Sequence, residues 1–429
     1  MFHLGWFAFE GVQGWTSPDY DPDYDWSRPD QHQAMARQLE KACFDYVLIE
    51  DTSAISDDYA GSMEIYLRNA LGSPKFDPAP LATYIAAATT HLGVVPTLTT
   101  SFYPPYLLAR LAASMAHLSG GRFGWNIVTS SSDLAARNYG MEALPEHDER
   151  YDIADEYLDL CQQLWRSWER DAVVANPASR VFADHRKVHR LDFRGAHFAC
   201  RGPLNVPRPP HDRPVLAQAG NSPRGMCFAA RHADIVLTPV NYPPAVKKFR
   251  DEIRRLATDA GRNPNDVKVM ALAFPRIFPT QAAVDAYRES LNHIPDDVVR
   301  HWLALVSSIT TLDLSRFDLD EPLPDSVQTN GSRGTLDWLR QGNATLRQIG
   351  LRMARLTPRE PLVGTAEQVA EEMGRTMDFI GGDGFLISGS LTPRHVSGVV
   401  DGLVPALQYR GLVRQRYTHR TLREHLLEF

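Results

Sequence analysis

The sequence predicts an α/β chain folded as a (β/α)8 TIM barrel, and three observations carry that prediction. Apolar strand-like runs alternate with helix-like runs eight times along the 429 residues. The first strand is followed by no GxGxxG, and GxxxxGK[ST] occurs nowhere, which disfavours the runner-up, an open doubly wound sheet. Polar residues gather at the C-terminal ends of the expected strands, where such barrels carry their chemistry.

Taken in order, His3 to Phe9 reads as strand one; the start is short, apolar and without a basic n-region, so it is a strand rather than a signal peptide. The loop WTSPDYDPDYDWSRPD leads to a helix near Gln31 to Ala42. Phe44 to Glu50 is strand two, ending at Asp51, with a helix near Pro80 to Thr90 behind it. His91 to Thr100 is strand three, followed by a helix from Pro105 to Leu118, and Arg122 to Thr129 is strand four. HDERYDIADEYLDLCQQLWRSWE combines helical apolar spacing with an acidic first turn, which favours a helix start. A hairpin-like excursion, VHRLDFRGAHFACRGPL, precedes strand five at Val215 to Ala219 and a helix from Pro223. Ile235 to Pro239 is strand six, Pro244 to Ala260 a helix, and Val267 to Phe278 strand seven. The stretch from about Thr280 to Pro361 is too long for an ordinary connection. It reads as an insertion, a lid or an oligomer contact, within one barrel domain spanning 1–429. A helix from Thr365 to Phe379 and strand eight at Gly384 to Ser388 complete the barrel.

Apolar content of 43% and charged content of 23% are those of an ordinary globular protein. The net charge of −7 argues against a nucleic-acid or anionic-membrane partner, so an anionic ligand would need local donors. The four cysteines lie far apart and form no CxxC pair. With no apolar run of about 18 residues, the expectation is a reduced, cytoplasmic protein without a structural metal. His185 and His189 have helical ligand spacing, but no HExxH pattern accompanies them.

The polar rim runs through Asp51 after strand two, Thr99 on strand three, and Asn126, Thr129 and Ser130 on strand four. QAGNSPRG adds Gly220, Asn221 and Ser222. Ser222 and Pro223 are N-cap and first-turn residues of a helix, whose free N–H groups suit a phosphate; the plain alternative is a cap and nothing more. Asn126 alone is equally a buried amide satisfied by backbone; several polar strand ends together favour a polar heterocycle. Aromatic residues crowd the same rim. Phe7, Trp15, Tyr59, Phe102 and Tyr103 are the candidate lining of an apolar or aromatic substrate pocket, although some rim aromatics must belong to the core.

GRFGWNIVTS, AARNYG, HDERYDIADEY, FRGAHFACRGPLNVPRPP and QAGNSPRG, in this order, resemble the nitrilotriacetate monooxygenase and dibenzothiophene sulfone monooxygenase family of the bacterial-luciferase-like flavin enzymes. The resemblance covers nearly the whole chain. It implies a TIM barrel, a homodimer or homotetramer, and FMN used as FMNH2 supplied by a separate NAD(P)H:flavin reductase. It implies that O2 is the co-substrate and that a flavin peroxide oxygenates a small organic substrate. Carried over by position, it places Asn221, Ser222 and Tyr151 at the phosphate, and Asp51, Thr99, Asn126, Thr129 and Ser130 around the ring and ribityl chain. Relatives with a histidine-rich stretch after strand one differ from this chain, which reads EGVQGW there, and no catalytic acid or base is assigned. The aromatic lining points to a hydrophobic or aromatic substrate, halogenated aromatics included. The rival readings are a deazaflavin-dependent oxidoreductase on the same barrel and a flavin-binding protein without turnover.

Overall fold

Eight parallel strands close into a barrel in the computed structural model, which describes residues 1–9, 21–238, 242–355, 362–390 and 392–429. They are β1 (His3–Phe9), β2 (Tyr46–Ile49), β3 (Gly93–Thr99), β4 (Gly124–Val128), β5 (Val215–Gln218), β6 (Ile235–Thr238), β7 (Lys268–Ala273) and β8 (Gly384–Ser390). Each pairs with its sequence neighbours, and β8 closes on β1 with His3 opposite Gly384. Strands buried on both faces must be apolar almost throughout, as YVLI and VLAQ are, every residue of them buried.

Alternation sorts each strand into an inward and an outward face. Register places Phe7, Leu48 and Ser388 on one face of neighbouring strands, and Thr97 beside Asn126. Trp6 and Trp125 point the other way. Trp6 packs on Phe44, and the Trp125 indole donates to Leu98 O at 2.8 Å. Both are fully buried, so these two tryptophans are core, not pocket.

The N-terminal mouth is plugged by the helix Leu422–Leu426, whose leucines join Tyr46, Val95 and Val215 in the inner core. Gly93 makes room for it: a Cβ there would lie 2.8 Å from Leu422. Around this mouth one device recurs. Asp45, Asp234 and Asp383 immediately precede β2, β6 and β8. Each accepts a backbone N–H from the strand before, at Leu4, Leu216 and Val269, over 2.9 to 3.0 Å. Each faces arginine: Arg414 for Asp45, Arg213 and Arg423 for Asp234, Arg250 and Arg254 for Asp383.

The outer layer begins with helices Pro29–Lys41, Pro78–Ala86 and Pro105–Leu118, the last spanning the residues expected. The acidic-start helix spans His147–Arg166. Its Glu156 accepts the N–H groups of Ala196, His197 and Phe198, fixing the expected hairpin, whose strands are Phe193–Arg194 and Ala199–Cys200. A second hairpin, Val173–Asn176 with Val181–Ala183, was not foreseen. His185 and His189 lie just after it. His185 begins a 3-10 turn, and His189 contacts the Glu169 carboxylate at 2.8 Å.

The expected strand seven, Val267 to Phe278, is corrected. Pro275 has no N–H to continue the ladder, so β7 stops at Ala273, and Arg276–Ile277 pairs instead with Val363–Gly364 outside the barrel. Between β7 and β8 the chain also forms helices Gln281–Ser290, Asp296–Thr310, Arg333–Arg340 and Leu346–Ala354. Leu303, Val306, Leu336, Leu339 and Ile349 of this stretch make a core of their own, joined by Tyr59 and Tyr66 from the loop after β2.

Candidate functional site

The C-terminal ends of β3, β4 and β5 stand side by side, and their polar residues are hydrogen-bonded in neighbouring local groups. Asn126 Nδ2 donates to Thr97 Oγ1 at 2.8 Å, and Thr97 Oγ1 donates on to Ile49 O at 2.8 Å. That chain fixes the amide and leaves Asn126 Oδ1 buried with no partner. Buried polar atoms are normally satisfied, so an orphan facing a barrel mouth marks a place for a ligand. Thr99 and Ser130 share a hydroxyl contact of 2.8 Å, and Ser101 donates to Thr129 O at 2.9 Å. Ser130 adopts a positive φ of 58°, turning the chain sharply at the rim.

β5 ends in Gln218, which holds both walls of the next feature. Its Oε1 accepts from Gly220 N at 2.7 Å, and its Nε2 donates to the Tyr151 hydroxyl at 3.3 Å. A Cβ on Gly220 would lie 2.8 Å from that hydroxyl and 2.5 Å from Gln218 Nε2, so glycine is required for these two side chains to pack over the backbone here. Ser222 caps helix Pro223–His232 through a bond from Gly225 N at 3.0 Å. The cap reading of Ser222 therefore holds; with Pro223 lacking an N–H, Gly225 N on Ser222 Oγ and Met226 N on Ser222 O, Arg224 N is the first-turn donor left over. Burial pushes the Tyr151 phenol above its ordinary range, keeping it a neutral donor. Arg224 turns away: it pairs with Asp152 at 2.8 Å and Asp155 at 2.5 Å.

Asp51 lies on the rim after β2 and is exposed by surface area, although protein groups crowd around its carboxyl. Burial, with Glu50 and Asp77 adding to it against Lys75, raises its carboxyl to about 6. Of the expected pocket aromatics, Phe7 is half-buried and faces inward beside Leu48. Phe102 stacks on Tyr139 at 4.3 Å, and Tyr103 packs half-buried against the outer core. Tyr59 is corrected: it is 6% exposed and belongs to the core of the β7–β8 segment, not to the barrel mouth. Trp15 lies outside the described residues, as does the EGVQGW stretch.

Three residues at the site were not singled out. His147 stands one turn before Tyr151 on the same helix face, ring centroids 5.3 Å apart. Ser388, 3% exposed, faces inward opposite Phe7, and its hydroxyl is a second buried orphan. Gln218, within the expected strand five, is the link between Gly220 and Tyr151. For Ser388 the available signal was a lone hydroxyl closing the apolar run GFLIS. For His147 it was spacing from Tyr151.

A family model described as luciferase-like monooxygenase matches residues 2–382. The chain is 36% identical to dibenzothiophene-sulfone monooxygenase of Rhodococcus erythropolis (strain XP), with 99% of this chain and 96% of that protein covered. It is 32% identical to nitrilotriacetate monooxygenase component A of Aminobacter aminovorans, over 99% and 96% of the two chains. Among solved structures, a riboflavin lyase with modified FMN and riboflavin superposes with a TM-score of 0.90 at 32% identity, covering 100% of this chain and 96% of that one.

Proposed function

The chain belongs to the luciferase-like monooxygenase family, and on that premise we propose that the polar rim at the ends of β3, β4 and β5 holds reduced FMN beside a hydrophobic, aromatic substrate. The enzyme is an FMNH2-dependent monooxygenase of the two-component kind, served by a separate flavin reductase and using O2. The single observation that carries the site is the orphaned Asn126 Oδ1 on β4, opposite Ala217 of the strand that leads on to Gly220 and the Ser222 cap. A planar heterocycle with polar edges and a phosphate tail fits that donor set: neutral side chains for the ring, the Arg224 N–H and the Tyr151 phenol for the phosphate.

When bound, the reduced flavin supplies the activation of O2 and the transfer of oxygen. The chain's residues do the rest. Thr97 locks Asn126 so that Oδ1 is presented without reorganisation. Gln218 orients the Tyr151 hydroxyl over Gly220. Thr99, Thr129 and Ser130 line the edge between them, with Asp51 across the rim. Phe7, Phe102 and Tyr103 provide apolar surface that accepts an aromatic substrate, halogenated ones included, and excludes water. The segment 280–361 serves as a lid, with Gln328 to Trp338 its barrel-facing part: the Cβ position of Gly334 lies 2.3 Å from Asn221 Oδ1, which supports that assignment. Assembly as a homodimer or homotetramer and a cytoplasmic location complete the proposal. Among the described residues no helix is long and apolar enough to cross a membrane.

The test is anaerobic titration with photoreduced FMN, followed by mixing with 18O2 and a panel of hydrophobic aromatics that includes sulfones and haloarenes. Incorporation of one 18O atom into product is expected. Turnover without O2 consumption would favour a hydride-transfer enzyme on the same barrel; binding without turnover would favour a flavin store.

A further inference from the structure

Among the described residues, four histidines are buried: His3, His32, His147 and His425. His3 contacts the Asp45 carboxylate and His147 that of Asp148, while His32 meets the Trp26 carbonyl. His425 is the one inside the plug at the N-terminal mouth, and it is wholly buried. Its Nε2 lies 3.0 Å from His419 O, which can only accept, so Nε2 carries the ring proton. Nδ1 then holds the lone pair, and no polar partner faces it.

Two neighbours tie this ring to the barrel. His91, in the turn before β3, directs Nδ1 at the same His419 carbonyl over 3.1 Å. Tyr417 packs against both imidazoles, ring centroids 4.6 Å from His91 and 5.0 Å from His425, and its hydroxyl donates to Phe44 O ahead of β2 at 2.6 Å. One residue beyond His425 is Leu426, which with Leu422 fills the inner core beside Tyr46 and Val95. The position of the His425 ring and the closure of the barrel floor are therefore one packing arrangement.

The charges around His425 leave nothing for a proton on Nδ1. Arg414 donates to His425 O at 3.0 Å and lies over the Tyr417 ring at 5.8 Å. Asp45, on the barrel wall, is taken up by His3, Leu4 N and Arg414. Glu40, from the first helix, holds the N–H groups of Thr90, His91 and Leu92. On the plug itself Glu424 caps Thr421, Glu428 holds Thr418 Oγ1 and Arg414, and Arg423 faces Asp234. Burial lowers the His425 imidazole below its ordinary range, with Arg414 and His91 adding to it against the His419 carbonyl and Asp45. A second ring proton would be a buried cation without an acceptor, next to a guanidinium.

We propose that the segment Arg414 to Phe429 is a pH-sensitive latch on the barrel floor, locked while His425 carries one ring proton and released when it carries two. The unfolded segment accepts the second proton near the ordinary value of about 6.5, and the folded one resists it. The latch is therefore at full strength above about pH 6.5 and weakens as pH falls below that value. It sits at the end of the barrel opposite the candidate site and is independent of the flavin reading.

Hydrogen exchange of the full chain in peptides covering 415–429 tests this, at about pH 7.5 and about pH 5.5 and corrected for the intrinsic pH dependence of amide exchange. The parent should exchange on the order of tenfold faster at the lower pH, about one pH unit below the unfolded value, with peptides at the opposite mouth unchanged. His425→Gln keeps a donor for His419 O but cannot take the proton, so its plug should stay protected at both pH values. If that variant does not fold, exchange of the His425 C2 hydrogen in the parent, read by mass spectrometry in a peptide without His419, reports ring protonation directly. Its midpoint should lie below about 6.5. Equal plug protection at both pH values, a loss of the same size in every peptide, a loss that persists in His425→Gln, or a ring midpoint at or above that value would each overturn the proposal.

Discussion

A carboxyl at the end of an apolar strand ionises according to how much protein surrounds it, and Asp51 is such a group. Its folded value of about 6 lies above the roughly 3.9 of an unfolded aspartate. Between those values the folded chain holds more protons than the unfolded one, so stability falls as pH rises from about 4 to about 6 and is flat above. Asp51→Asn cannot ionise. Its melting temperature should exceed that of the parent at about pH 7.5, and the gap should close towards about pH 4. A gap that is the same at both pH values would remove the raised carboxyl from the account. Residue types at the rim were legible because Asn126, Thr99 and Ser222 break apolar or helical patterns. Their roles were not: that Ser222 spends its hydroxyl on Gly225 N, and that Asn126 points Oδ1 at nothing, depends on distances that no pattern encodes.

At the scale of elements, the turn between β5 and helix Pro223–His232 is the most specific local structure of the site. A methyl group on Gly220 would displace Gln218, which now joins Gly220 N to the Tyr151 hydroxyl. Gly220→Ala should cost little stability, about 1 kcal/mol for one weakened bond. It should weaken FMN binding at least tenfold and riboflavin binding much less, because the phosphate wall moves and the ring floor does not. Parallel loss for both flavins in a fluorescence titration would place the phosphate elsewhere. The elements themselves were readable where local signals agreed. Pro105 to Leu118 has proline at its start and serine and glycine at its end, and the structure keeps those bounds. Strand seven failed because apolar content continued through Pro275 although the ladder could not. Tyr59 was misplaced for a related reason: an aromatic after a barrel strand looks like pocket lining, and only the fold of a segment some two hundred residues later gives it another core.

Over the whole molecule, the two ends of the barrel are built on opposite electrostatic principles. At the C-terminal mouth the orphaned atoms are neutral acceptors and hydroxyls, Asn126 Oδ1 and Ser388 Oγ, whereas the N-terminal mouth is organised around three aspartates, each paired with arginine and with a strand N–H. The motif was present in the sequence as an aspartate directly before FDYVLI, HADIVL and GGDGFL runs turn apolar, but its arginine partners come from the loop before β5 (Arg213), from helix Pro243–Asp259 (Arg250, Arg254) and from the C-terminal segment (Arg414, Arg423), so composition alone could not join them. Asp234 is the clearest case. Burial by itself would raise its carboxyl; Arg213 and Arg423 outweigh burial and hold it at about 2. Arg213 binds it in a fork at 2.6 and 2.8 Å, and Arg423 tethers the C-terminal plug to it at 3.1 Å. Asp234→Ala leaves these arginines facing one another in a partly buried site and should cost about 3–5 kcal/mol in urea unfolding at neutral pH. A depressed carboxyl contributes stability that is present above its unfolded value and lost as pH falls, so the parent should lose stability between about pH 4 and about pH 2 while the variant, already lacking the group, changes less there. Since Arg423 sits beside Leu422 of the plug, the variant should also free the C-terminal helix, seen as faster hydrogen exchange in residues 415–429 with peptides at the opposite mouth unaffected. A variant as stable as the parent, with the C-terminal helix still protected, would mean that packing of Leu422 and Leu426 alone closes the barrel floor.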